Sequence, residues 1–193
     1  MVRESRRMQA SAMPSGARHI LLCVCGGIAA YKAAELVRRL RDDGTIEVIV
    51  AMTENAQRFV GAQTFQALSG QPVRTSLWDA SAEAAMGHLE LAHWADQVII
   101  APATANSIAR LAHGLADDLV STLCLATTAP IAIAPAMNHR MWRHPATQAN
   151  VATLQARGVQ VIGPDEGPLA EGESGPGRMA EPAAIMAALG FAR

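Results

Sequence analysis

Residues 20–41, ILLCVCGGIAAYKAAELVRRLR, constrain this chain more than any other stretch. The apolar run from Ile20 to Cys25 stops at Gly26-Gly27, the pattern of a strand buried on both faces. A helix follows, with apolar residues at Ala33, Leu36, Val37 and Leu40 in the i, i+3, i+4, i+7 spacing. Lys32, Glu35, Arg38 and Arg39 are expected to point away from that face. A strand, a glycine turn and a helix N-terminus together leave backbone N–H groups facing outward, where a phosphate can sit. A Cβ in the turn would hold the anion away from those donors. The stretch is neither a GxGxxG fingerprint nor a Walker loop, because no Gly-Lys-Ser/Thr follows. Taken alone, it fits a plain strand-to-helix turn equally well.

The rest of the chain repeats the apolar-run pattern. Strands are expected at 46–52, near Val73, and at 97–101, 130–134 and 159–162. Helices are expected at 59–68, after Ser107, and at 118–126, 139–157 and 181–189, with Gly158 closing the fourth of these. Nearly all-apolar strands alternating with helices mean a parallel sheet covered on both faces: a single α/β domain, doubly wound. At 193 residues and 50% hydrophobic, the chain is long enough to core one such domain. Three loops at strand carboxyl ends carry small polar residues: Gly26-Gly27, Thr104 to Ser107, and Ala136 to Asn138. In open α/β sheets ligands bind at that edge.

A net charge of −1 and 4% aromatics give no footing for nucleic acid. No apolar run has the length of a membrane span. Cys23, Cys25 and Cys124 lie in apolar runs, which reads as buried, reduced thiols of a cytoplasmic protein. Residues 1–18, with four arginines among small residues, read as a disordered tail before a domain at 19–190. Thr53 closes the second strand, where its hydroxyl either caps the next helix or meets a phosphate. His88 and His93, and likewise His139 and His144, stand five apart, about 140° around a helix, so neither pair chelates a metal. Residues 163–179, with five glycines and three prolines, are expected to form no regular element and to act as a lid, a clamp or a loose connection.

Five strings in a fixed order carry a resemblance: GGIAAYK at 26–32, MGH at 86–88, PATANS at 102–107, PAMN at 135–138 and GPGRM at 175–179. With them the sequence resembles the flavin-dependent cysteine decarboxylase family over about residues 18–190, in particular its phosphopantothenoylcysteine decarboxylases. In many bacteria these form the N-terminal half of a bifunctional coenzyme A biosynthesis protein. The resemblance implies a flavodoxin-like homotrimer, or a dodecamer of four trimers, with FMN at a subunit interface. It implies decarboxylation of 4'-phosphopantothenoylcysteine to 4'-phosphopantetheine, with the synthetase supplied in cis or in trans. The thiol would be oxidised to a thioaldehyde, CO2 lost to give an enethiol, and the enethiol reduced again. Carried over by position, Gly26, Gly27, Ile28, Thr53, Thr104, Ala105, Asn106, Ser107 and Ala136 would bind FMN. Asn138, Met141 and Arg178 would bind substrate, with Asn138 on its carboxylate, and His88 would be catalytic. Residues 163–179 would clamp the substrate.

Two positions depart from the family's pattern. Cys25 stands where serine is usual before the two glycines, implying a poorer phosphate contact. Glu171 stands at the position of the clamp cysteine that protonates the enethiol. A carboxylic acid with a pKa raised by desolvation would replace that donor. Otherwise the reaction stops at the enethiol, and the alternative reading is an oxidative decarboxylase of a peptide C-terminal cysteine. A flavin prenyltransferase is disfavoured by MGH and PAMN; a non-catalytic flavin-binding regulatory subunit is disfavoured by His88 and Asn138 but kept open by Glu171.

Overall fold

In a computed structural model, five parallel strands form one sheet in the order β2-β1-β3-β4-β5. The structure describes residues 18–42, 44–79, 86–168 and 172–191. The strands are β1 (Arg18–Val24), β2 (Ile46–Met52), β3 (Gln97–Ala103), β4 (Ile131–Pro135) and the short β5 (Gln160–Val161). Alternation along β1 supplies both layers of core: Ile20, Leu22 and Val24 face one side, and Leu21 and Cys23 the other. On the first side pack α1 (Ala30–Asp42), α2 (Ala62–Ser69) and α8 (Pro182–Ala188), through Leu36, Phe65 and Ile185. On the second pack α3 (His88–Trp94), α4 (Ala105–His113), α5 (Leu119–Ala126) and α7 (Pro145–Ala156), through Leu91, Ile108, Leu123 and Val151. This is the doubly wound, flavodoxin-type order, whose direction reverses between β1 and β3.

Several expectations are corrected. Val73 opens no strand: one bridge, Ala51 to Arg74, edges β2 there, since Pro72 lacks an N–H and no apolar run follows. The helix expected from Phe59 begins at Ala62, after the 3-10 turn Glu54–Arg58 that Thr53 caps. The helix expected over 139–157 is two, α6 (His139–Arg143) and α7, because Pro145 holds His144 in an extended conformation. Asp118 is the N-cap of α5 in a capping box with Ser121, and not its first residue.

The largest correction concerns 163–179. Asp165–Pro168 (β6) and Ser174–Arg178 (β7) form an antiparallel hairpin outside the main sheet. Glycine and proline exclude a helix or a central strand, but in a two-stranded ribbon half the N–H groups face outward and proline costs no ladder bond. Of the tail expected over 1–18, Arg18 opens β1 opposite Ile46, and residues 1–17 lie outside the described residues. Among the described residues no helix is long and apolar enough to cross a membrane.

Candidate functional site

A cavity of about 600 Å³ opens at the carboxyl ends of β1, β3 and β4, under the hairpin. That is the topological switch point of the sheet, where the crevice of a doubly wound fold forms. One wall is the glycine turn, Gly26, Gly27 and Ile28, which leads into α1. A Cβ on Gly26 would lie 2.5 Å from Asn55 Cβ and 2.8 Å from its carbonyl carbon, so the close approach of two backbones demands glycine there. A Cβ on Gly27 would meet only Thr104 Cγ2, at 3.8 Å. The first bonds of α1 run from Ala30 N–H to Gly27 O and from Lys32 N–H to Ala29 O. The N–H groups of the turn thus precede the helical ladder, in the usual place for an anion.

The second wall is Thr104 and Ala105, where β3 passes into α4. Thr104 Oγ1 caps that helix, accepting from Ser107 N–H at 3.2 Å, and lies 2.9 Å from Ser107 Oγ. The third wall is Ala136, Asn138 and Met141. Asn138 Oδ1 accepts from Arg140 N–H at 2.8 Å and caps α6, so the NH2 half of its amide is the part left for a ligand. Arg178, at the end of β7, closes the ring with Met179.

Other residues expected at the site are not on the wall of this cavity. Thr53 spends its hydroxyl on Ala56 N–H at 3.3 Å and is not on the cavity wall. Asn106 is exposed on the first turn of α4, and Ser107 is buried behind Thr104. Cys25 packs into the core layer of Leu21 and Cys23 and is not on the cavity wall. Burial pushes that thiol up to about 12, so it stays protonated at neutral pH. His88 begins α3 after Gly87 and lines a separate, smaller depression with Arg74, Asp79 and Leu119. Glu171 lies outside the described residues.

Sequence reasoning missed Lys32. Expected on the outer face of α1, it is buried on the cavity wall, its Nζ 2.7 Å from Glu181 Oε1 and 3.0 Å from the Met179 carbonyl. The signal was present: Lys32 stands four and eight residues before Leu36 and Leu40, on their row. The hydrogen bond from Lys32 holds the Glu181 carboxyl below its ordinary 4.5, with the Lys32 and Arg178 charges acting in the same direction. A depressed carboxylate stabilises the fold fully above its unfolded value, and that stabilisation fades as pH falls through the lower folded value. Below pH 4.5, wild type is expected to lose urea resistance more steeply than Glu181→Gln, the two curves converging in stronger acid.

Lys32 and Arg178 are the cations on the described wall, and both are paired with the Glu181 carboxylate beside it. With the glycine turn and Arg178, the wall fits a ligand bearing an anionic group, and its volume falls in the range of small-molecule sites. Fold and site thus define an α/β protein with an anion-accepting crevice at its switch point. The chain belongs to the Flavoprotein family, whose match spans residues 8–190.

Three relatives narrow the comparison. The chain is 58% identical over 174 residues to the coenzyme A biosynthesis bifunctional protein CoaBC of Escherichia coli K12, covering 90% of this chain and 43% of that protein. It thus spans less than half the length of that relative. Its fold superposes on a PPC decarboxylase variant complexed with pantothenoylaminoethenethiol at a TM-score of 0.77, with 30% identity over 90% of this chain and 97% of that one. It superposes on the FMN-dependent cysteine decarboxylase SpaF at 0.77, with 33% identity over 91% and 94%.

Proposed function

We propose that this chain is an FMN-dependent 4'-phosphopantothenoylcysteine decarboxylase that yields 4'-phosphopantetheine for coenzyme A synthesis in the cytoplasm. The reading is carried by the cavity wall, where an anion-accepting glycine turn, Asn138 and Arg178 converge in a chain 58% identical to a coenzyme A biosynthesis protein. Gly26, Gly27 and Ile28 hold the FMN phosphate, while Thr104, Ala105 and Ala136 border the flavin. Bound FMN supplies two-electron redox chemistry, which gives the electrons of a breaking carbon–carboxylate bond somewhere to go.

The protein's own groups do the rest. The Asn138 amide orients the substrate carboxylate as a neutral donor, which avoids the charge stabilisation that would hold CO2 in place. Met141 packs on the substrate chain, and Arg178 meets its anionic group. The hairpin of β6 and β7 is the clamp that keeps water out. Its Glu173 carboxylate docks on α6, 2.7 Å from Arg140 Nη2 and 3.3 Å from His139 Nδ1. By its position in the sequence, between β6 and β7, Glu171 takes the place of the family's proton-donating cysteine.

The working unit is a homo-oligomer, a trimer or a dodecamer. Ile28 and Tyr31, on the cavity rim, are 64% and 61% exposed, an apolar edge that a second copy covers. His88 reaches the reacting atoms from a neighbouring protomer. The synthetase that makes the substrate acts in cis or in trans.

The test is release of labelled CO2 from 4'-phosphopantothenoylcysteine by the FMN-loaded protein; no release beyond a flavin-free control overturns the reading. The glycine turn gives a paired check. Gly27→Ala is expected to keep the fold within about 0.5 kcal/mol while weakening FMN affinity, read by flavin fluorescence. Gly26→Ala is expected to cost about 1–3 kcal/mol in urea unfolding, because its methyl group meets the Asn55 backbone.

A further inference from the structure

Arg178 does not stand alone on the wall. Its Nη2 donates to Glu181 Oε1 at 3.3 Å, the same oxygen that takes Lys32 Nζ at 2.7 Å. Lys32 also donates to the Met179 carbonyl, one residue beyond Arg178. The lysine side chain is 10% exposed and the glutamate 54%. A buried ammonium is retained where it is paired and hydrogen-bonded, and here both partners lie just past the end of β7. On its other side Arg178 lies across β6, where a Cβ on Gly167 would come within 2.9 Å of Nη1. The guanidinium is thus held from both sides, by the open face of Gly167 and by Glu181. Glu181 is in turn tied to α1, the helix that the glycine turn begins.

We infer that Lys32 is a positioning residue. Through Glu181 and Met179 it fixes the root of the hairpin and holds the Arg178 guanidinium in the orientation that receives the anionic group of the substrate. This rests on the proposed reaction for the identity of the substrate, whose anion is either a carboxylate or a phosphate. Lys32 touches neither; it acts by restricting Arg178, whose fork geometry recognises either oxyanion only when aimed.

The experiment compares wild type, Lys32→Met, Lys32→Arg, Arg178→Met and the double variant Lys32→Met/Arg178→Met, all FMN-loaded. Lys32→Met is expected to raise KM about tenfold or more with kcat changed less than about threefold, and with flavin content unchanged. Lys32→Arg is expected to restore most of that loss, and the double variant to be no worse than Arg178→Met, since both act at one point. Amide hydrogen exchange over 174–179, measured without substrate, is expected to speed up in Lys32→Met and recover in Lys32→Arg. This readout stands even if the proposed reaction fails.

A substrate lacking the phosphate separates the two anions. If Arg178 receives the phosphate, the preference for the phosphorylated substrate collapses in Lys32→Met and Arg178→Met alike. If it receives the carboxylate, KM for both substrates rises in parallel. Additive effects in the double variant, a fall in kcat at constant KM, flavin loss that Lys32→Arg does not repair, or unchanged exchange over 174–179 would each overturn the inference.

Discussion

Replacing His88 by Asn is expected to lower CO2 release by about 10²–10⁴-fold while FMN stays bound. Asn keeps much of the size and hydrogen-bonding capacity of histidine but does not titrate near neutral pH, so the change removes proton handling more than shape. Retention of flavin is expected because His88 lines a depression apart from the cavity of its own protomer. The same separation makes a sharper forecast. Mixed oligomers of His88→Asn and Asn138→Ala protomers, each nearly inactive alone, are expected to regain part of the activity, because some sites then combine an intact Asn138 with a neighbour's intact His88. A mixture as inactive as its parents would place His88 with its own protomer's site. Loss of flavin in the single variant would make its role one of binding.

Gly177→Ala is expected to disrupt both the docking of the hairpin and the binding of substrate. Gly177 has φ +153°, and a Cβ there would run into the Met137 carbonyl oxygen. The Met137 N–H also donates to the Gly177 carbonyl at 3.0 Å, so two backbones meet with no room for a methyl group. To accept one, the hairpin must lift off the 136–138 segment, breaking that bond and moving Arg178 away from the wall. The expected cost is about 1–3 kcal/mol in urea unfolding, with a rise in substrate KM larger than this instability explains. Gly61→Ala is the control, since nothing lies within 4 Å of a Cβ there. A Gly177→Ala protein as stable and active as Gly61→Ala would show that the hairpin does not dock as described.

Much of the fold was legible because two-sided burial leaves a local mark. The apolar runs in β1, β2, β3 and β4 each announce a strand covered on both faces, and their alternation with helices sets the parallel order. The hairpin was not legible, because its stability comes from docking on α6 and Met137, contacts that no periodicity within 163–179 encodes. The break at His144-Pro145 was legible in principle and overlooked.

At the site, residues in glycine turns and strand-end loops came to the cavity where expected: Gly26, Gly27, Thr104, Ala136 and Asn138. Side-chain direction was the harder part. The alternation that puts Leu21 and Cys23 in one core layer also carries Cys25 there, away from the cavity. The Thr53 hydroxyl is seen as a cap, accepting from Ala56 N–H. Lys32 was obscured by its charge, since a lysine on a helix is most often solvated, and the carboxylate that makes its burial tolerable is 149 residues away in sequence.

Product mass tests the central claim most directly. Purified, FMN-loaded protein is incubated with 4'-phosphopantothenoylcysteine and the products are weighed by mass spectrometry. The expected result is loss of CO2 with formation of the saturated thiol, 4'-phosphopantetheine, which requires a proton donor, Glu171 or water, at the clamp. A product two hydrogens lighter, with the flavin left reduced, would contradict the complete cycle and make the chain an oxidative decarboxylase. Substrate recovered unchanged would contradict the assigned reaction altogether.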